Sequence, residues 1–496
     1  MKLLFLDPLH KSWEFFRGLT ASPALVYLAA VARKEFDVQV FDASMEPKDP
    51  WDSTAIYLEK ERPDVVAITG AITMFWPDTI NASKLVREIL PDAAVITGGY
   101  IASVYWEDAL KNGVADFVVV GEGELTMMEL LRALKEKKTD FSKILGLAWM
   151  KDGKPVKNAP RPFMTDLDEL PPPAFDLFPM ERYSLASLGN HVGYAVTFAR
   201  GCVGSCRFCS EAVQWQHRWR GHGAKYMVDT LEVLSKKYGK KILYIGDDDF
   251  LQDPERTKAF IALMKKRRPE VRMWIQTTCA NFIKNEALLK DLKDVGVYQV
   301  MLGIESFEPG VLKHLNKPQT QETVKKAVAL AKSHNLILMG MVMWGAPWDT
   351  KAGLHKTVDF IVKNCDIMGP NAVSPWPGTP YYEECEKLGA IEVRDLAHYN
   401  MLDCVTRTAE FSAAEADVYY KNVVGKALIF NMKALGNFFF SSKFHFRTYY
   451  KMFLKMGWNF VTHRPWVQRN YQPFEDFWEK RHGVKAGTRA PAAKKR

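Results

Sequence analysis

The sequence predicts an α/β protein. A doubly wound, Rossmann-like parallel-sheet domain is followed by a partial (β/α)6 TIM-like barrel and a helical C-terminal region. Three observations carry this. Short β-branched apolar runs alternate with helically spaced segments over the first 140 residues. The same alternation resumes after a proline-rich stretch and fades after Pro380. Strands alternating with helices imply a parallel sheet covered on both faces.

In the first region the expected strands are Lys2–Asp7, Val38–Asp42, Asp64–Thr69, Ala93–Thr97 and Asp116–Val120, with helices such as Pro23–Lys34 and Asp78–Ile89 between them. A binding crevice should lie beyond the carboxyl ends of these strands. Three of those ends are glycine-rich: Thr69-Gly70-Ala71-Ile72-Thr73, Thr97-Gly98-Gly99-Tyr100 and Gly121-Glu122-Gly123-Glu124. Glycine lets a ligand approach the backbone closely. Each turn alone is also consistent with an ordinary tight βα connection, and three on one edge favour a ligand.

Prolines from Pro155 through Pro171-Pro172-Pro173 to Pro179 disfavour regular helix and sheet, so they mark a connector. Beyond it the expected strands are Tyr194–Ala199, Ile242–Gly246, Arg272–Thr277, Tyr298–Gly303, Ile337–Met343 and Asn371–Pro375. Val324, Ala327, Val328 and Ala331 follow i, i+3, i+4, i+7 in one intervening helix. In such barrels the chemistry sits at the C-terminal strand ends. The expected boundaries are 1–140 for the first domain, 141–185 for the connector and 186–382 for the barrel. A helical, aromatic-rich region over 383–480 and a disordered basic tail over 481–496 complete the chain.

Composition narrows the class. The 496 residues are 47% hydrophobic and 25% charged, which excludes wholesale disorder. Val418–Phe474 holds nine Lys or Arg and no acid, and Lys480–Arg496 holds seven more, so the net charge of +9 is concentrated at the C-terminal end. Seven Cys is too few for a disulfide scaffold and points to a reducing cytoplasm. Asp7 and Pro8 end the apolar start too early for a signal peptide. No apolar run reaches the roughly 18 residues of a spanning helix.

The strongest chemical signal is Cys202-Val-Gly-Ser-Cys206-Arg-Phe-Cys209, just after the first barrel strand. Three thiolates at this spacing can hold a four-iron cluster and leave one iron open for a substrate. A zinc site completed by His217 is the alternative. The motif, with Phe208 before the last Cys, resembles the radical S-adenosylmethionine enzyme signature. The resemblance implies a [4Fe-4S] cluster on Cys202, Cys206 and Cys209. Its open iron would chelate S-adenosylmethionine, and reductive cleavage would give a 5′-deoxyadenosyl radical, so the cofactor carries the hard chemistry. It also implies an electron donor such as a flavodoxin or ferredoxin.

Other strand ends fit this resemblance. Gly246-Asp247-Asp248-Asp249 occupies the position that contacts the methionine amino group, though a triple Asp also suits a divalent cation or a helix cap. Glu305, followed by Ser306, is implied to contact the ribose or the amine, against the plainer reading of a solvated loop acid. Trp344-Gly345-Ala346-Pro347 and Pro375-Trp376-Pro377-Gly378-Thr379-Pro380 resemble family turns near the adenine and the substrate. Cys279 after the third barrel strand is a candidate catalytic thiol, against a small buried Cys. Cys365, Cys385 and Cys404 read as structural.

With the barrel so placed, the first domain resembles that of the cobalamin-binding subgroup, over about residues 1–400. This implies cobalamin contacts at Thr69, Gly70, Thr73, Gly98, Gly99, Gly121 and Glu122. Asp7-Pro8-Leu9-His10 has the wrong spacing for the Asp-x-His-x-x-Gly motif, so the cobalamin is expected His-off. The resemblance implies a C-methyltransferase; the basic, aromatic C-terminal region suits an apolar or anionic small molecule as its substrate, and a monomer is expected. The anaerobic magnesium-protoporphyrin monomethyl ester cyclase, an oxidative cyclase of a tetrapyrrole, shares the architecture. A non-enzymatic iron–sulfur or corrinoid carrier is the remaining class, and six βα units with family turns argue against it. Ten of the 23 residues Phe438–Phe460 are aromatic. With the basic residues among them they suit a helical core, a peripheral membrane contact or a lid. No motif supports nucleic-acid binding.

Overall fold

Along the first strand, alternate side chains belong to different cores. In the computed structural model, which describes residues 1–9, 20–46, 49–183, 193–429, 454, 457–462 and 472–483, Leu3, Leu4, Phe5 and Leu6 are all fully buried. Leu3 and Phe5 pack with the helices Pro23–Ala32 and Gly123–Lys135. Leu4 and Leu6 pack with the helices Pro50–Glu61 and Trp76–Ile89. A period of two with both faces covered is what makes the run continuously apolar.

The strands are β1 (Lys2–Asp7), β2 (Asp37–Asp42), β3 (Val65–Thr69), β4 (Ala94–Gly98) and β5 (Phe117–Val119), close to the expected runs. They lie parallel in the order β2-β1-β3-β4-β5. In this doubly wound order the winding reverses between β1 and β3, and the crevice there is the expected ligand position.

The sheet does not stop at residue 140. β6 (Leu147–Lys151) and β7 (Lys154–Lys157) form an antiparallel hairpin that continues it past β5. This corrects the expectation that Pro155 belongs to an irregular connector. Pro155 sits in the outermost strand, where a missing donor costs least. The rest of the proline-rich stretch is a packed strap: Leu170, Ala174, Phe175, Phe178, Met180 and Tyr183 are buried in the cluster that joins the first domain to the barrel. Proline suppressed regular structure there, but not burial.

In the second region the strands are β8 (Gly193–Val196), a short antiparallel pair β9 (Ala199–Arg200) and β10 (Arg220–Gly221), β11 (Ile242–Ile245), β12 (Arg272–Thr277), β13 (Val297–Glu305), β14 (Ile337–Trp344) and β15 (Ile367–Ala372). Six of them form an all-parallel partial barrel in sequential order from β8 to β15. β15 lies about four residues earlier than expected, because Gly369 and Pro370 occupy an edge strand. The helices Lys351–Asn364 and Ala413–Ile429 pack outside β14, with Tyr420, Val424 and Leu428 buried.

The C-terminal region is not one separate unit. The helix Phe474–His482 returns to the first domain, where Phe474, Phe477 and Trp478 join the core of Leu4 and Leu6. The Trp51 and Phe474 rings meet edge to face at 5.0 Å. Arg481 reaches Glu59 at 2.7 Å and Glu88 at 2.9 Å. Among the described residues no helix is long and apolar enough to cross a membrane. Phe438, Phe439, Phe440 and the tail after Gly483, on which the membrane-contact and disorder expectations rest, lie outside the described residues.

Candidate active site

The three cysteines occupy the loop between β9 and the helix Ser210–Gln214, at the C-terminal end of the partial barrel. All are free and half-buried. Cys202 Sγ accepts from Gly204 N at 3.3 Å. Burial pushes all three thiols up, Cys209 to about 12, so bound metal has to supply the charge that makes them thiolates. Among the described residues no three His, Cys, Asp or Glu side chains gather as a lone ion requires. His217 places its Nδ1 2.9 Å from Gly204 O rather than completing a zinc site. A cubane spreads its thiolates wider than one ion does, and an all-sulfur donor set on one loop fits it.

The triple Asp divides three ways. Asp247, fully buried, accepts from Phe198 N at 2.6 Å and Ala199 N at 3.0 Å, with Arg256 on its other oxygen at 3.0 Å. It therefore builds the turn ahead of the cysteine loop. Asp249 accepts from Thr277 Oγ1 at 2.5 Å and Asn281 Nδ2 at 2.8 Å, tying β11 to β12. Only Asp248 faces the cavity described below. Glu305 ends β13 with a left-handed backbone (φ 62°) and pairs with Lys317 at 3.0 Å. It is a buried, paired acid rather than a solvated one. Ser306 Oγ accepts from Glu308 N at 3.1 Å. Pro347 is half-buried, and Phe208 packs near Val311, Leu315 and Tyr381. Cys279 is fully buried, and burial pushes its thiol up to about 12, so the structure treats it as a core residue.

A cavity of about 330 Å³ lies between the two regions. On one side stand Thr69, Gly98, Gly99, Gly121 and Glu122, the strand ends singled out in the sequence. Facing them are Thr197–Arg200, Glu211, Gly246 and Asp248 of the barrel. Gly99 has φ 103°, and a Cβ there would stand 2.7 Å from Ala71 Cα, so this turn requires glycine. At Gly121 a Cβ would meet nothing within 4 Å. Thr73 is fully buried, and among the described residues its hydroxyl has no hydrogen-bond partner. Glycine-lined strand ends and open space fit a large cofactor. Gly70 packs instead against Ala102 and Gly98.

Comparison with known proteins decides the family. The radical SAM superfamily pattern matches residues 196–361, and the B12 binding domain pattern matches residues 16–131. An uncharacterised methyltransferase of Pyrococcus horikoshii is 31% identical over 416 residues, covering 83% of this chain and 89% of that one. The chain belongs to the cobalamin-dependent radical S-adenosylmethionine methyltransferases. A similar relative, the anaerobic magnesium-protoporphyrin IX monomethyl ester cyclase of Rubrivivax gelatinosus, is 27% identical over 410 residues, 81% of this chain and 73% of that one. In fold the chain is similar to the cobalamin-dependent S-adenosylmethionine radical enzyme OxsB, with a TM-score of 0.70 at 13% identity over 97% of this chain and 74% of that one. The cofactors of the family are those the sequence led us to expect: a [4Fe-4S] cluster, S-adenosylmethionine and cobalamin.

Several residues of this radical S-adenosylmethionine enzyme were not legible beforehand. Arg200 Nη1 donates to Glu122 Oε1 at 2.8 Å, and its Nη2 to Glu124 Oε1 at 2.5 Å. Arg220 joins Glu122 at 2.8 Å, and Met164 N donates to Glu122 at 2.8 Å. Glu122 thus clamps the cobalamin domain to the barrel at the cavity rim. Glu211 and Asp248 hydrogen-bond each other in the cavity wall, and burial pushes both carboxyls up. Tyr100 OH donates to Pro377 O at 2.7 Å, which ties the last barrel turn to the first domain. Pairings between residues so far apart in the chain, up to 277 positions for Tyr100 and Pro377, leave no local pattern to read.

Proposed function

We propose that this enzyme transfers a methyl group to an unactivated carbon of an apolar or anionic small molecule. The supporting observation is the cavity shared by the two regions, with the glycine-rich strand ends on one wall and the barrel mouth on the other. When bound, the reduced cluster and S-adenosylmethionine supply a 5′-deoxyadenosyl radical and cobalamin supplies the methyl group. In this reading Cys202, Cys206 and Cys209 hold the cluster. Asp248, Glu305 and the backbone of Gly246 face S-adenosylmethionine. Thr69, Gly98, Gly99 and Gly121 receive cobalamin. The domain clamp at Glu122 holds the two regions together at the rim of this space. Cobalamin is held without a histidine ligand. His10 lies outside the described residues, and a His10→Ala variant is expected to retain the cofactor.

The test is anaerobic incubation of reconstituted, reduced enzyme with methyl-labelled S-adenosylmethionine and a cell extract. A labelled product together with 5′-deoxyadenosine is expected. Cys202→Ala, Cys206→Ala and Cys209→Ala should each abolish 5′-deoxyadenosine, and full activity in any of them overturns the reading. Similarity to the cyclase favours ring closure of a tetrapyrrole-type substrate as a second reading. Product mass separates the two, since only methylation adds a carbon.

A further inference from the structure

The turn Leu315-Asn316-Lys317 is built against the cysteine loop. Arg207 N donates to Leu315 O at 3.0 Å. Asn316 Nδ2 donates to Ser205 O at 2.8 Å and meets Ser205 Oγ at 2.9 Å. Asn316 itself takes a left-handed backbone, φ 51°. One short turn therefore grips the loop on both sides of Cys206. The next residue, Lys317, runs inward. Its side chain is 10% exposed, and its Nζ lies 3.0 Å from Glu305 Oε1. A Cβ at Gly303 would stand 2.9 Å from that Nζ and 2.6 Å from Glu305 Oε1, so the pair lies over bare backbone at the end of β13.

This is costly chemistry to place without a purpose. An ammonium and a carboxylate taken out of water lose hydration that their mutual attraction only partly restores. Burial alone would pull Lys317 down, but Glu305, with Cys206 beside it, holds it above the ordinary lysine range. Cluster potentials respond to nearby charge, because reduction adds an electron that a cation stabilises and an anion repels.

We propose that Lys317 sets the reduction potential of the cluster held on the cysteine loop, with Glu305 as the opposing charge that limits its effect. The proposal rests on the cluster assignment and is independent of whether the product is methylated or cyclised. Lys317 acts through charge, as a positioning and tuning residue rather than a catalytic one.

The experiment is a potentiometric titration of the reconstituted holoenzyme, followed by the electron paramagnetic resonance signal of the reduced cluster, with S-adenosylmethionine omitted. Lys317→Met should make reduction harder by about tenfold in the one-electron equilibrium, which corresponds to about 59 mV. Glu305→Gln should shift it the opposite way. Lys317→Arg keeps the charge and should stay near the parent. A merely structural role moves Lys317→Met and Glu305→Gln in the same direction, or moves neither, and either result overturns the proposal. If Lys317→Met fails to fold, Glu305→Gln and Lys317→Arg carry the test between them. Iron content is measured in parallel, and a parent protein that holds no cluster also overturns it.

Discussion

Arg200 offers the sharpest test of how the two domains are joined. Its side chain is 16% exposed, and those of Glu122 and Glu124 are 6% and 7% exposed, so all three charges lie largely outside bulk water. Replacing Arg200 by Met leaves Glu122 with Arg220 and the Met164 amide, but takes away the guanidinium that Glu124 holds at 2.5 Å. Removing one partner of a buried pair costs about 3–5 kcal/mol. Because Glu122 keeps other partners, we expect the lower end, about 3 kcal/mol. Arg200→Lys restores a charge without the two-pronged fork and should fall between. Arg200→Met/Glu124→Leu removes both charges and should return to within about 1 kcal/mol of the parent. Urea unfolding of the holoenzyme reads these differences from the midpoint, and a changed slope would report uncoupled domains. A loss below about 1 kcal/mol in Arg200→Met, or a double variant no more stable than the single one, would refute the clamp.

Three further outcomes follow from particular positions. Gly99→Ala forces a side chain onto a φ of 103° and against Ala71, so it should cost about 1–3 kcal/mol and lower the cobalamin-to-protein ratio; an unchanged ratio refutes the fit. Burial pushes the Asp349 carboxyl up to about 7, although Gly345 N and Ala346 N each donate to it at 2.8 Å. Its folded value exceeds the unfolded one of about 3.9, so its contribution is full below about pH 4 and is lost as pH rises to about 7. The stability difference between the parent and Asp349→Asn should therefore shrink over that window, and a constant difference would sink the assignment. Trp478→Ala should destabilise by about 3–5 kcal/mol, read by thermal unfolding, and a near-neutral result would show that the C-terminal helix does not belong to the first domain's core.

Local signals proved readable and long-range pairings did not. β1 and β12 fall on the expected residues because an apolar run bounded by charged residues or turns fixes a strand within a few positions. The cysteine loop was legible because its chemistry is written in consecutive residues. The β6–β7 hairpin was hidden by Pro155, whose local preference is overruled at a sheet edge. Asp247, Asp248 and Asp249 looked equivalent, yet their strand geometry sends them to a backbone turn, a cavity and a neighbouring strand. Glu122 was read as a cofactor contact from its glycine neighbours, whereas its partners Arg200 and Arg220 come from the barrel. The aromatic helix Phe474–His482 was read with its sequence neighbours, although it completes a core begun at Leu4.

That last arrangement has a consequence for synthesis. Ribosomes add about 5–20 residues per second. Residues 1–140 have left the ribosome long before Trp478 is made, by roughly 20–70 s at those rates. Throughout that interval Trp51 and its neighbours have no Phe474 or Trp478 to cover them. The nascent first domain therefore carries an apolar patch that chaperones can bind and proteases can inspect. A chain truncated anywhere before the last helix leaves that patch uncovered, so only a chain translated through Trp478 covers it itself.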